Sequence, residues 1–333
     1  MLSADPLISV VIATRNRHDS VIDTVDSILK SSAKKDSQFE IIVVDQSTDD
    51  ACQRLMTKYR DEPRVVYQRT RTVGLARARN IAIARAKSNL IAITDDDCIV
   101  SESWLSEIQK TFAAHPKVVI LFGNVLTGEH DTAAGFIPGY CRESAKIVSR
   151  VLEKNDVDGL GACMAIRKGV WREFHGFDEM LGVGGALKSS SEGDLVLQAL
   201  YKGYQVCETP RVSVIHRGFR TWDAGAGLIF RYWYGTGAMY GKHLKLHPVS
   251  TCLILISLAW RWAFGASRVA SSIGPNTRKI FRLHAFSAGL LKGLWLRVER
   301  ETGHFRTVSA ADAANASVER VVKSYASGHT DGY

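Results

Sequence analysis

The sequence predicts an α/β protein, with a mostly parallel sheet flanked by helices and a helical, basic C-terminal extension. Three observations predict it. Apolar runs of strand length alternate with amphipathic stretches of helical period up to residue 216. One such run, Leu90-Ile91-Ala92-Ile93, ends abruptly in Asp95, Asp96 and Asp97, at the strand end where open α/β sheets hold ligands. The net charge of +9 is uneven: after His216 there are sixteen Lys and Arg against six Asp and Glu. Residues 1–216 are close to neutral, so the basicity belongs to the last third and suggests an anionic surface partner.

In chain order, residues 8–13 (ISVVIA) predict a strand, and 18–30 a helix with Val21, Val25, Ile28 and Leu29 on one face. Strands are expected at 39–47 and 64–68, with a helix at 49–59 between them. Residues 74–87, rich in Ala and Arg, predict the next helix, and the acidic strand follows. A helix begins at Ser101 with Trp104, Leu105, Ile108 and Phe112 as its stripe; Ser101 and Ser103 both suit its N-cap. A strand spans 118–126, residues 127–158 lack periodicity and predict a loop or flap, and CMAIRK is a strand at 163–168. The Gly- and Ser-rich residues 181–191 predict a mobile loop. Ser191 is expected to cap a helix ending near Gly203, and a strand region closes at His216. Beyond it come FRYWYG, AWRWAFG and an apolar run at 249–266 whose one charge is Arg261. A second apolar-basic segment lies at 284–300, and the last dozen residues are expected to fray.

Several classes are excluded. No GxGxxG follows the first strand, where the sequence reads ATRNR, and no GxxxxGK[ST] occurs anywhere. The six cysteines form no CxxC pair or zinc spacing, which argues for a reducing compartment. The N-terminus has no basic region followed by a long apolar one, so no signal peptide is expected.

The acidic triplet needs a counter-charge. Three adjacent carboxylates repel, and no basic residue lies within seven positions on either side. A hard divalent cation, Mn²⁺ or Mg²⁺, suits these oxygen ligands. A second acidic pair, Glu192 and Asp194 in SEGDL, lies at a helix N-terminus beside a glycine-rich loop, where a carboxylate is suited to general-base work.

Five motifs occur in order: SVVIATRNR, EIIVVDQSTDD, GLARARNIAI, TDDDC, and SEGDL ahead of VSVIH. Over about residues 7–220 the chain thereby resembles the family 2 glycosyltransferases, which have a GT-A fold. The resemblance implies that Asp97 touches a metal ion and that Asp95 meets the donor's ribose or the metal, with Asp96 able to serve instead. It implies that Asp45 accepts from the nucleotide base, although Gln46 stands where the family usually has a second acid. Thr14 and Arg15 would meet base and ribose, Arg79 and Asn80 match an arginine–asparagine pair, and Arg77 is a phosphate-facing candidate beside Gly74. Glu192 is the favoured base and Asp194 the runner-up, since Gly193 separates acids that the family usually has adjacent. His216 would be a further metal ligand. Gly161 and Asp178, the latter in a Gly-Phe-Asp element, fall on the acceptor side.

The implied activity is a metal-dependent, inverting transfer of a sugar from a nucleotide-diphosphate donor to a hydroxyl acceptor, in cell-surface polysaccharide or glycolipid synthesis. A UDP-sugar is favoured, with dTDP or GDP as alternatives, and the acceptor is a saccharide or is lipid-linked. Two competing readings are a sugar nucleotidyltransferase, which lacks its usual loop here, and a degenerate nucleotide-binding protein. The expected division is a catalytic domain at 1–220, with a donor half to 126 and an acceptor half from 127, followed by a tail at 221–333. The aromatic and basic tail predicts helices lying on an anionic membrane surface, with no nucleic acid partner, and a cytoplasmic enzyme peripheral to the inner face of the membrane.

Overall fold

The computed structural model describes residues 7–31, 38–264 and 279–306. The expectations for residues 1–6, 265–266 and the final dozen lie outside the described residues. The first half alternates largely as predicted: β1 (Ile8–Thr14), α1 (His18–Ser31), β2 (Phe39–Asp45), α2 (Ala51–Met56), β3 (Val65–Arg69), α3 (Leu75–Arg85) and β4 (Leu90–Asp95), then an unexpected short strand, β5 (Cys98–Val100), and α4 (Trp104–Ala114), which starts after Ser103 and not at Ser101. β6 (Val118–Thr127) follows. The stretch expected to be a loop at 127–158 instead contains two short strands, β7 (Gly135–Phe136) and β8 (Lys146–Val148), and a 3₁₀ helix at Val151–Asp156. They were not visible because none is long enough to repeat a hydrophobic pattern clearly. Then come β9 (Cys163–Arg167), α5 (Lys168–Glu173), α6 (Ser191–Tyr201), β10 (Gln205–His216), β11 (Arg220–Thr221), α7 (Trp222–Leu246), α8 (Pro248–Phe264) and α9 (Lys279–Trp295).

Among the described residues the main sheet has nine strands in the order β3-β2-β1-β4-β9-β6-β10-β5, with β8 also against β10. The β3-β2-β1-β4 part is wholly parallel, as strands joined by helical crossovers require. β9 enters antiparallel between β4 and β6. β10 pairs parallel with β6, and its last residues pair antiparallel with β5, placing His216 opposite Cys98. The core lies on both faces of this sheet. One layer is closed by α1 and α4 with Trp104 and Phe112 at its centre, and the other by α3 and α6 with Phe122 and Phe177.

The C-terminal helices are joined to this core. α7 and α9 pack backbone against backbone: a Cβ on Gly289 would lie 1.9 Å from the Tyr234 carbonyl oxygen, and one on Gly293 2.2 Å from that of Ala238. Only glycine allows the two helices to approach so closely. α8 lies against the 3₁₀ helix at Val151–Asp156, where Asn155 Nδ2 donates to the Ile254 carbonyl at 3.1 Å and Arg261 pairs with Asp156 at 2.7 Å. No helix among the described residues is long and apolar enough to cross a membrane.

Candidate active site

The parallel register aligns the C-terminal ends of β1, β2 and β4, setting Thr14 beside Asp45 and Ala13 beside Asp95. Beyond these ends opens a cleft of about 550 Å³. Thr14, Arg15, Arg17, the acidic triplet, His216 and Arg220 line it. So do Lys154, Asp158, Gly161, Glu192, Tyr232 and Tyr240.

The triplet is not short of cations. Arg17 Nη1 reaches Asp97 Oδ2 at 2.5 Å and Asp96 Oδ1 at 3.2 Å, and Thr14 Oγ1 donates to Asp96 Oδ2 at 2.6 Å. The sequence window around 95–97 holds no base, but the fold delivers one from the loop after β1. Burial pushes the Asp96 carboxyl up to about 6, against the pull of Thr14 and Arg17. Burial also acts to raise Asp97, but its contact with His216 and the charge of Arg17 outweigh it and hold that carboxyl below the usual range.

Asp97 Oδ1 is buried without a hydrogen bond. His216 Nε2 lies 3.2 Å from it, while His216 Nδ1 is 2.7 Å from the Pro138 carbonyl oxygen. Bonding at Nδ1 fixes the ring and leaves Nε2 turned to the carboxylate, the usual arrangement of a ligating histidine. Gly218 closes over the pair, and a Cβ there would lie 2.6 Å from both Asp97 Oδ2 and His216 Nε2. An unsatisfied carboxylate oxygen, an oriented imidazole and a glycine that leaves room fit a divalent cation. The Cys98 sulfur lies within 4.8 Å of these ligand atoms. Burial raises that thiol well above its ordinary value, and hard Mn²⁺ or Mg²⁺ favours oxygen and imidazole ligands over sulfur.

Arg79 joins the triplet to the second acidic site. Its guanidinium, 1% exposed, donates to Glu192 Oε1 at 2.5 Å, to Asp95 Oδ1 at 3.1 Å and to the Gly161 carbonyl at 3.2 Å. Burial opposes ionisation of Glu192, but Arg79 prevails and holds its carboxyl below the ordinary range. Glycine at 161 leaves room for this pair, since a Cβ there would lie 2.2 Å from Glu192 Oε1 and displace the carboxylate from Arg79. The cap of α6 is Ser190, at φ 73°, and not Ser191. Ser191 is the first helical residue and donates to Glu192 Oε2 at 3.0 Å.

Other sequence candidates lie away from the cleft. Asp45 is fully buried, accepting from Tyr67 Oη at 2.6 Å and the Ser47 N–H at 2.7 Å, while Gln46 lines the cleft and accepts from the Gly74 N–H. Arg77 pairs with Glu179 at 2.6 Å and does not line the cleft. Asn80 brackets Phe177, accepting from its N–H and donating to its carbonyl. Asp194 faces α7, where Lys242 at 2.7 Å and His243 at 2.8 Å take its carboxylate. Asp178 is buried, its Oδ2 accepting from Lys242 at 2.8 Å and the Phe305 N–H at 2.9 Å and its Oδ1 from the Met180 N–H at 3.1 Å, so no oxygen is turned to an acceptor.

Sequence reasoning missed Arg17, Arg220, Lys154, Asp158 and Tyr232. Arg17 stands inside the quoted motif SVVIATRNR, and its position after a strand end was the available signal. Lys154 is 9% exposed and lines the cleft, its ammonium making neither a hydrogen bond nor an ion pair among the described residues. Burial lowers its ammonium pKa against the attraction of Asp158 and Glu208. Glu208 itself is fully engaged, by the Asp158 and Gly159 N–H groups, Tyr140 and Arg142.

The comparisons agree with this architecture. Mannosyltransferase PcManGT from Pyrobaculum calidifontis, solved with GDP-Man and Mn²⁺, has a TM-score of 0.53 at 18% identity, covering 88% of each chain. S. aureus TarS residues 1–349 has a TM-score of 0.50 at 14% identity, covering 89% of each chain. At these identities the likeness is one of fold. No curated protein matches the chain. Residues 9–174 match the model for Glycosyl transferase family 2, a span that holds the acidic triplet and Arg79 but stops short of Glu192 and His216. By that match, set on a fold of the same kind, the chain belongs to glycosyl transferase family 2 and is a glycosyltransferase.

Proposed function

We propose that the protein is an inverting, metal-dependent transferase moving a sugar from a nucleotide-diphosphate donor to a hydroxyl of a saccharide or lipid-linked acceptor. The observation that carries this reading is the unsatisfied Asp97 Oδ1 beside His216, in the same cleft as the ionised Glu192. Mn²⁺ or Mg²⁺ held by Asp97 and His216, with Asp95 near, would neutralise the charge that develops on the leaving diphosphate. PcManGT was solved with GDP-Man and Mn²⁺, which favours a donor and an ion of these classes here.

The chain's own residues supply the rest. Arg17 and Arg220 both border the donor side. Burial and its neighbour Arg17 lower the Arg220 pKa, which suits an anion arriving between the two guanidiniums. Arg15 and Gln46 border the same side, where nucleoside contacts fall. Glu192 takes the acceptor hydroxyl's proton as the oxygen bonds to the anomeric carbon and the carbon–phosphate-oxygen bond breaks. Arg79 keeps Glu192 ionised beforehand and orients it. Lys154, Asp158 and Tyr232 are free to hydrogen-bond an acceptor's hydroxyls. The domain division proposed is a donor half, an acceptor half and a helical C-terminal region that closes the cleft through α7.

The test is release of nucleoside diphosphate from UDP-, GDP- and dTDP-sugars with Mn²⁺ present. Turnover of at least one donor is expected, and inertness towards all of them would defeat the reading.

A further inference from the structure

α8 has one face with no polar side chain. Its exposed positions from Val249 to Trp260 are Val249, Cys252, Leu253, Ile256, Ala259 and Trp260. The spacing i, i+3, i+4, i+7, i+10, i+11 makes them a single stripe about a third of the circumference wide. They are well out in solvent: Ile256 is 66% and Trp260 67% exposed. α9 carries a second apolar stripe of Ile280, Leu283, Leu291, Leu294 and Trp295, the last 72% exposed, interrupted by the exposed polar side chains of His284 and Ser287. Its opposite face, with Ala285, Gly289 and Gly293, is buried on α7. Stripes of this size are not left bare without a use.

Their surroundings choose the occupant. Across residues 248–264 and 279–306 there are seven Lys and Arg and two Glu. Lys292 stands 4.3 Å over the Trp295 ring, a cation held at the rim of an apolar stripe. Both stripes end in tryptophan, the side chain suited to a headgroup boundary. Over its described residues neither helix is long and apolar enough to cross a bilayer. The inner face of α8 touches the cleft wall: Asn155 bonds the Ile254 carbonyl and also accepts from Tyr240, and it neighbours Lys154.

We propose that the exposed faces of α8 and α9 dock on an anionic lipid bilayer, apolar stripes entering the headgroup boundary and flanking cations meeting lipid phosphate. The Lys154 wall of the cleft is then one helix away from lipid. If the transferase reading holds, the acceptor is accordingly a lipid-anchored one.

The test is flotation of the full chain with vesicles of phosphatidylcholine alone and with vesicles containing phosphatidylglycerol. Leu253→Ser/Ile256→Ser and Leu291→Ser/Trp295→Ser alter exposed side chains only, and Leu55→Ser, an exposed apolar site on α2, is the control. The full chain is expected to float with the anionic vesicles, less so in high salt, and each double variant to lower the bound fraction about tenfold or more. Leu55→Ser should float like the parent. Failure of the parent to float, or flotation indifferent to both double variants, overturns the proposal. A dimer that both variants dissociate, without flotation of the parent, identifies a second copy as the occupant and also overturns it. Flotation is read without turnover, so it stands or falls apart from the transferase reading.

Discussion

Glu192 and Asp194 are two residues apart and face different worlds. Glu192 lines the cleft beside Arg79, whereas Asp194 is buried with Lys242 and His243. Glu192→Gln keeps the shape and removes the basicity, so kcat should fall by roughly 10²–10⁴ with donor KM little changed. Loss through KM alone would assign Glu192 to binding. Asp194→Asn should act on stability: it leaves a fully buried ammonium with one carboxylate fewer, at a cost of about 3–5 kcal/mol by chemical denaturation. A variant as stable as the parent but inactive would make Asp194 the base. The carboxylates were legible because a strand ending in three acids and a helix beginning with two are local patterns. Their partners were not, since Arg17 lies 80 residues from Asp97 and Lys242 lies 64 from Asp178.

At the scale of elements, α7 is the least legible and the most connected. Its Tyr232, Thr236, Met239 and Tyr240 line the cleft, and its Lys242 and His243 hold α6 and the Asp178 turn. The aromatic and basic composition that suggested a surface tail is partly internal, for Lys242 and His243 are buried. This network sets an acid limit. Burial depresses His243 despite Asp194, and burial with the neighbouring His243 charge depresses His247, stacked on Tyr201. Depressed histidines bind fewer protons folded than unfolded, so their contribution is lost as pH falls below about 6.5. Asp194 is pulled well below its ordinary value: burial opposes this, but Lys242 and His243 prevail. Its contribution, present above about 4, is lost at still lower pH. Lys242 is raised, against burial, by Asp194 and Asp178, and does not titrate in this window. Asp96, raised to about 6, acts the other way but is common to parent and variant, so the effect of His243 is read in the difference: the stability of the parent relative to His243→Gln should decline as pH falls from 7 to 5. A difference flat across that range would contradict the assigned burial of His243.

Across the whole molecule, the alternation of strands and helices through β4 was readable because each strand is a continuous apolar run and each helix has a face. The second half was harder, since β9 inserts antiparallel and β7 and β8 are too short to carry a pattern. The carboxylates of the triplet, Glu192 and His216 come from separate elements that meet only because β10 pairs with β5 at His216 and Arg79 bridges α3 to α6. The central claim is that this meeting point uses a divalent cation to transfer a sugar. It is tested most directly by titrating Mn²⁺ into chelator-treated parent and Asp97→Ala protein and following nucleoside diphosphate release from the accepted donor. The parent should be inactive after chelation and recover as Mn²⁺ is added, with Asp97→Ala folded but lower by about 10³-fold or more at every Mn²⁺ concentration. Full turnover by the chelated parent, or by Asp97→Ala, would contradict the account.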